Sequence, residues 1–243
     1  MRPVVKKQPG EVVEFCDSRG RHISHTVKTE YNPYGDAKAP LIANIGEFCS
    51  YCEEPRRPGD LHVEHVMPKD IYAELKTKWD NFLLACNICN STKGVADVDL
   101  LKTHFPHKDN TFLDFVYDES GRVKVNPNLP VELKEGAENL YKLAKLGRNP
   151  FDKDAPSEQD FRWRHRLETW NLAKKLSVEY DDKKHSVDDI VYYARLKGNW
   201  SVWFTVFKGK DEVRRALIER TPGTCVECFD AGNHYEPVKR KSF

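Results

Sequence analysis

The pattern of apolar and polar positions predicts short strands in the first half of this chain. Residues 1–35 are polar and rich in turn formers, and we expect them to form an arm with one strand. A short helix follows, with Asp36 placed to cap it and Gly46 placed to end it. Farther along, apolar stretches at 111–117 and 123–125 flank a turn and favour a β-hairpin.

The second half of the chain shows the periodicity of amphipathic helices. After Pro130, apolar residues recur at intervals of three and four. Ser157 and Ser186 occupy positions that suit helix caps. The predicted helices cover four segments, 131–146, 158–180, 187–196 and 210–219. Together with the strands they predict an α+β fold whose C-terminal half is mainly helical.

The segment between residues 49 and 95 differs from both halves, because it combines four cysteines and two histidines with strand and helix signals. So short a segment buries little apolar surface and is expected to need a metal to hold its shape. We therefore divide the chain into an N-terminal arm with a short helix at 1–48, a metal-held nucleus with the following hairpin at 49–125, and a helical region at 126–243.

The charge balance excludes a strongly basic protein that binds polyanions over its whole surface. The 243 residues include 39 lysines and arginines against 38 aspartates and glutamates, a net charge of +1. Charged residues make up 32% of the chain and hydrophobic ones 39%, which is typical of a highly charged globular protein. Any affinity for nucleic acid must therefore be local.

No apolar run approaches the ~20 residues needed to cross a bilayer, so we predict no membrane span. The first residues, MRPVVKK, have no apolar segment behind their charges, and nothing marks them for export. We therefore expect a cytoplasmic protein. Six of its seven cysteines form three Cys-x-x-Cys pairs, a spacing that indicates metal binding in a reducing compartment.

The first two cysteine pairs are the candidate metal ligands. Cys49 and Cys52 form one pair, and Cys86 and Cys89 form the other. Four thiolates suit tetrahedral Zn²⁺ and leave no open position for a substrate, so a structural zinc is predicted. The rival interpretation is a thioredoxin-like redox role, but neither pair follows a strand in a βαβ pattern.

The third pair, Cys225 and Cys228, has two interpretations. A second zinc site would recruit His234, or residues of the N-terminal arm. The candidate ligands in that arm are Cys16, His22 and His25. Their spacing fits no common zinc finger, so we favour two ordinary buried thiols.

Between the first two pairs, the segment 62–68 alternates polar and apolar residues and predicts a strand that Pro68 ends. In such a strand His65 faces away from Glu64 and from His62, which is expected at the surface. Past the second pair, a short helix is expected to begin near Asn90.

These elements together resemble an HNH endonuclease of the zinc-stapled ββα-metal type. The resemblance rests on Cys-x-x-Cys, then Glu-His-x-x-Pro, then Asn-Phe-Leu-Leu-x-Cys-x-x-Cys-Asn-x-x-Lys. Several of these sequence motifs also resemble those of HNH nuclease subunits in bacterial anti-phage systems such as Septu and certain retrons. The resemblance implies a fold with a small ββα nucleus and an activity on phosphodiester bonds.

The resemblance also implies roles for five residues. His65 corresponds to the general-base histidine of the family, and Asn81 to the asparagine that holds the loop in place. Asn90 corresponds to the residue that is the final histidine in the H-N-H motif. Glu64 and Asn90 would hold one divalent cation, and Lys93 would contact the phosphate or stabilise the charge that builds on it. Products with a 5′-phosphate and a 3′-hydroxyl are implied as well.

The sequence departs from the family pattern at two of these positions. Asn90 replaces the final histidine, and Glu64 stands where many members carry aspartate. Both keep an oxygen ligand for a hard cation, so Mg²⁺ or Mn²⁺ is the expected catalytic ion. A histidine with an ordinary pKa of ~6.5 is largely neutral at pH 7 and can accept a proton from water.

The sequence thus predicts a metal-dependent endonuclease that acts on DNA, with double-stranded DNA as the preferred substrate. The zinc ion would have a structural role only. The near-neutral charge, together with the Septu-like resemblance, indicates a targeting or activating partner such as an ATPase. The alternatives are a non-catalytic zinc-knuckle module that binds nucleic acid or protein, and a ribonuclease, which the absence of a recognisable RNA-binding module disfavours.

A basic and aromatic cluster at 162–166 offers a further candidate nucleic-acid contact. On a helix, Trp163, Leu167 and Trp170 would share one face and pack into the core. The arginines of the cluster would then face solvent or DNA. We expect Lys69, next to Pro68, to be a solvated side chain.

Overall fold

In the computed structural model, which describes residues 1–17 and 19–240, the chain folds into helices and short antiparallel hairpins, as an α+β fold requires. The N-terminal arm holds two strands, β1 (Val12–Cys16) and β2 (His22–Thr26), where one was predicted. They pair in register from Val12 opposite Thr26 to Cys16 opposite His22. The second strand was not predicted because Ile23 is the one apolar residue of β2, which leaves the alternation weak.

The first helix, α1, spans Lys38–Ile45 and ends at Gly46, as predicted. Gly46 has φ of 84°, a left-handed conformation that favours glycine, and its N–H donates to Ile42 O. Asp36 does not cap this helix. A 3₁₀ turn over Tyr34–Ala37 precedes it, which makes Ala37 the N-cap.

The nucleus has the order strand, strand, helix. Strand β3 (Leu61–His65) pairs antiparallel with β4 (Phe82–Cys86), and every residue of β4 is buried. Helix α2 (Asn87–Lys93) follows β4 directly. It begins three residues before the predicted start at Asn90, because the Cys86 sulfur accepts a hydrogen bond from the Cys89 N–H and caps the helix.

The predicted hairpin is confirmed as β5 (Phe115–Tyr117) paired with β6 (Val123–Val125). Four predicted helices are confirmed to within a few residues. They are α3 (Val131–Ala144), α4 (Arg162–Asp181), α5 (Val187–Lys197) and α7 (Asp211–Arg220). Helix α5 begins at the Ser186 cap, whose side chain accepts from the Asp189 N–H while the Asp189 carboxylate accepts from the Ser186 N–H.

A further helix, α6 (Trp200–Val206), was not predicted from the sequence. Its segment is apolar nearly all round, so no polar face marks the helical period. Two short strands, β7 (Phe229–Asp230) and β8 (Glu236–Pro237), follow α7. Within residues 1–17 and 19–240, no helix combines the length and the apolar character of a bilayer span.

The buried apolar residues form two clusters. The first gathers around β3, β4 and α2 and includes Leu140 and Ala144 of α3. The second gathers around the later helices, with Trp203 and Phe204 of α6 at its centre. The boundary predicted at residue 126 stays a prediction, and α3 packs with the nucleus rather than with the later helices.

The face of α4 that is buried differs from the predicted one. Trp163, Leu167 and Trp170 are only half-buried. The buried residues of this helix are Arg162, Arg166, Thr169, Ala173, Leu176 and Ser177. The two arginines are buried because backbone carbonyls and a thiol of the nucleus accept their hydrogen bonds, which an analysis of apolar spacing cannot detect.

Glu53 joins the nucleus to α6. It follows Cys52 in a left-handed conformation with φ of 63° and is 5% exposed. Its Oε1 accepts from the Ser201 hydroxyl at 2.6 Å, and its Oε2 accepts from the Ser201 N–H at 3.0 Å. The start of α6 is thereby fixed beside the first cysteine pair.

Candidate functional site

Four cysteine sulfurs meet at one end of the nucleus. The Sγ atoms of Cys49, Cys52, Cys86 and Cys89 all lie within 4.8 Å of one another, and all four residues are buried. Tetrahedral zinc with bonds of ~2.3 Å would separate its sulfur ligands by about 3.8 Å. The Cys52 and Cys86 sulfurs lie 3.8 Å apart, so the cluster fits a structural zinc ion.

The third cysteine pair is not part of a comparable cluster. Cys225 and Cys228 are buried in the second core, while Cys16 is exposed on β1. His234 Nδ1 lies 2.8 Å from Asp211 Oδ2. Across the described part of the chain, the four sulfurs of the nucleus are the one metal-ligand cluster found. The burial of both residues is what the interpretation as two buried thiols expects, and the absence of metal there stays a prediction.

A cleft of 470 Å³ opens between the end of β3 and α2. It brings together His65 and Glu64 from the end of β3 and Asn90 from α2. His62, Lys69 and Asp70 also line it, together with Tyr34 and Lys38 from the segment before the nucleus. Three of the five residues to which the resemblance gave roles therefore share one solvent-accessible cavity.

The His65 ring is fixed by its surroundings. Its Nε2 lies 2.9 Å from Lys76 O, and because a carbonyl only accepts, Nε2 carries the proton of the neutral ring. Tyr34 and Phe82 pack edge-on against the ring at centroid distances of 4.8 Å and 5.2 Å. Burial lowers the pKa of His65, so Nδ1 is left unprotonated and can act as a base.

Glu64 is 3% exposed and lies beside a buried cation. Its Oε1 lies 2.9 Å from Lys93 Nζ and accepts from the Tyr51 hydroxyl at 3.4 Å. Burial raises the pKa of Glu64, although the ammonium of Lys93 acts in the opposite direction. Among the described residues, no hydrogen bond engages Oε2, so this oxygen is the one suited to a metal ion in the cleft.

Lys93 lies beneath the cleft, not in it. It is 4% exposed, and its Nζ donates to His65 O at 2.7 Å besides pairing with Glu64. The phosphate contact expected for Lys93 does not fit this position, because its ammonium is already bonded inside the protein. Its geometry instead ties α2 to the end of β3. This burial could not be predicted from the sequence, since lysine is rarely buried without a partner and the partner of Lys93 lies far away in the chain.

Replacing Lys93 with methionine is expected to destabilise the protein by about 3–5 kcal/mol, because it leaves the Glu64 carboxylate buried without its cation. Equilibrium denaturation with urea measures the change. Lys102→Met is the control, since Lys102 pairs with Glu135 at 3.9 Å on the surface and should cost about 0–1 kcal/mol. Equal effects of the two changes would show that the buried pair does not stabilise the nucleus.

The side chain of Asn81 forms hydrogen bonds that hold the loop between β3 and β4 together. Its Oδ1 accepts from the Met67 N–H at 2.7 Å, and its Nδ2 donates to Met67 O at 2.9 Å and Leu75 O at 3.2 Å. These bonds join the two ends of the loop between β3 and β4. The same loop carries Lys76, whose carbonyl oxygen lies 2.9 Å from His65 Nε2.

Two aromatic residues of the site escaped sequence analysis. Tyr34 packs on the His65 ring, and its own ring lies 5.6 Å from Lys69 Nζ. Tyr51 contacts Glu64 from between the first two cysteines. The position of Tyr51 inside the Cys-x-x-Cys pair was a usable signal. Nothing in the spacing of Tyr34, far upstream of the motif, connects it with His65.

Comparison with known proteins agrees with this geometry. The sequence model of the HNH endonuclease family matches residues 49–95. The Septu protein PtuB of Bacillus thuringiensis is 37% identical over 62 residues, a stretch that covers 25% of this chain and 24% of PtuB. The chain therefore matches about a quarter of the length of this relative. Residues 49–95, which hold the four-cysteine cluster and most of the residues that line the cleft, therefore match an HNH endonuclease domain.

Proposed function

We propose that the protein is a metal-dependent endonuclease that hydrolyses phosphodiester bonds in double-stranded DNA. The observation that carries this proposal is the placement of His65, whose Nε2–H is held by Lys76 O while its ring lines a cleft together with Glu64 and Asn90. A zinc ion held by the four cysteines serves as a staple only, since four sulfur ligands leave no position for a substrate.

In this proposal His65 is the general base. Its Nδ1 accepts a proton from the water that attacks the phosphorus, while the carbonyl of Lys76 stabilises the imidazolium that results. Tyr34 and Phe82 pack against the ring and hold its orientation. A base held in one orientation aligns the water with the leaving oxygen, which lowers the entropic part of the barrier.

Glu64 and Asn90 are the residues that would hold Mg²⁺ or Mn²⁺, since they offer a carboxylate and an amide oxygen to the same cleft. The bound ion supplies positive charge for the phosphate and for the leaving oxygen. Lys93 orients Glu64 by holding Oε1, which leaves Oε2 to face the ion. We therefore assign Lys93 a positioning role.

The fall of kcat/KM at acidic pH tests directly whether His65 is the general base. His65 must be neutral to accept a proton, so activity falls as the pH drops through the His65 pKa. Burial lowers that pKa below the ordinary ~6.5, and a nearby divalent cation lowers it further. We expect kcat/KM to stay constant from pH 8 down to about 6.5. An acid limb centred above pH 7 would contradict this assignment.

The preference for DNA is tested with duplexes of one sequence made of DNA or of RNA. We expect Mg²⁺-dependent cleavage of the DNA, with ends that DNA ligase rejoins because they carry a 5′-phosphate and a 3′-hydroxyl. Cleavage of the RNA duplex alone would contradict the proposed substrate. Metal-independent binding without cleavage of either would favour the zinc-knuckle binding module instead.

The similarity to PtuB supports a role in anti-phage defence together with a partner protein, and we propose an ATPase as that partner. The net charge of +1 supports it as well, because the chain has little general attraction for DNA. Cleavage rates measured with and without co-expressed partner test this proposal. Full activity of the isolated monomer at physiological salt would contradict it.

A further inference from the structure

The zinc cluster is contacted by a residue far outside the HNH motif. Arg162, the first residue of α4, lies 73 positions after Cys89 in the chain. Its Nη1 donates to Cys89 Sγ at 3.6 Å and to Ala144 O at 2.9 Å. The side chain is 4% exposed, so water does not compete for these bonds.

Asp160 holds the guanidinium of Arg162 in this orientation. Arg162 Nε donates to Oδ1 at 2.8 Å and Nη2 donates to Oδ2 at 2.7 Å, which is a bidentate pair. Nη2 also donates to Lys145 O at 3.5 Å. Each N–H of the planar group therefore has an acceptor, and Nη1 cannot turn away from the sulfur without breaking several bonds.

A second buried cation lies one helical turn farther along α4. Arg166 is 4% exposed, and its hydrogen bonds go to the carbonyls of Gly121 at 3.0 Å and Leu146 at 3.2 Å. Among the described residues, no carboxylate forms a salt bridge with Arg166. Four thiolates around one Zn²⁺ leave an excess of negative charge in a buried place, which such cations offset.

We propose that Arg162 donates a hydrogen bond to the metal-bound sulfur of Cys89, so that the helical region supplies part of the zinc site. A donor to a ligating sulfur stabilises the thiolate form and holds the ligand in place for the metal. This inference goes beyond nuclease activity, because it concerns how the protein retains zinc. It also makes the start of α4 a necessary part of the nucleus.

Zinc release tests the proposal in the full-length, zinc-loaded protein. We expect Arg162→Met to lose zinc to a coloured chelator about 10–100-fold faster than the unchanged protein, the range typical of lost partners of metal ligands. Arg164→Gln is the matched control, since Arg164 lies on the same helix, is exposed, and pairs with Glu168 at 3.0 Å. Equal release rates for the two variants would overturn the proposal.

Cobalt substitution separates a hydrogen bond to sulfur from a general packing effect. Loss of the N–H donor raises the energy of the sulfur lone pairs, so the thiolate-to-cobalt absorption band of Arg162→Met should move to longer wavelength. Arg162→Lys keeps the positive charge but lacks the planar guanidinium with its several N–H donors. The absorption band of this variant should therefore shift by a smaller amount. A band that stays in place in both variants would overturn the proposal, whatever their stability.

Discussion

Replacing His65 with alanine is expected to slow nicking of supercoiled plasmid by about 10²–10⁴-fold, the contribution typical of a general base. The reason lies in the geometry of the ring, because its Nε2 is engaged by Lys76 O and its Nδ1 is left to accept the proton. The loss should appear in kcat while the KM for DNA changes little. Single-turnover rates with Mg²⁺ measure it.

Two controls make the loss of activity in His65→Ala interpretable. The variant must carry one equivalent of zinc, which shows that the nucleus is folded. His62→Ala removes the other histidine of β3, which is exposed at the rim of the same cleft, and should cost less than about 10-fold. A folded His65→Ala protein that nicks DNA at the rate of the unchanged one would refute the assignment of the base.

The second large effect is expected at the zinc staple. Changing Cys86 to serine removes one of the four zinc ligands, while the serine hydroxyl can still cap α2. Structural zinc contributes about 10–16 kcal/mol of apparent binding free energy in small zinc-dependent folds. We therefore expect Cys86→Ser to bind less than one equivalent of zinc and to lose the cooperative thermal transition of the nucleus. Metal analysis and circular dichroism measure both quantities.

Cys225→Ser is the matched control, because Cys225 is also a buried member of a Cys-x-x-Cys pair. It lies in the second core, away from the four-sulfur cluster. It should keep one full equivalent of zinc and lose about 1–3 kcal/mol of stability from burying a hydroxyl. Reduced zinc content in Cys225→Ser would show that this pair also binds metal.

Much of the nucleus was predictable because its signals are local in sequence. The spacing of the cysteines and the Glu64–His65 pair ended by Pro68 each depend on a few neighbouring residues, as does the Ser186 cap of α5 outside the nucleus. The same holds for the predicted hairpin and for four helices, whose apolar residues follow one period. The structure contains these features as predicted because the local geometry of the chain determines them.

The remaining features depend on contacts between distant segments. Lys93 and Arg162 are charged, so their residue types predict exposure, yet each is buried against an acceptor far away in the chain. Tyr34 packs on His65 from a segment with no motif. Helix α6 was missed because it is buried on all sides. A single sequence carries no signal for such pairings, since spacing reports only the local period.

The most direct test of the central claim is nicking of supercoiled plasmid by the zinc-loaded protein, together with the proposed partner, in Mg²⁺ or Mn²⁺ and in EDTA. We predict relaxed and then linear DNA with either divalent ion, and intact plasmid in EDTA or with His65→Ala. Intact plasmid in every metal, from a folded protein that carries its zinc and has the proposed partner present, would contradict an endonuclease built on this cleft.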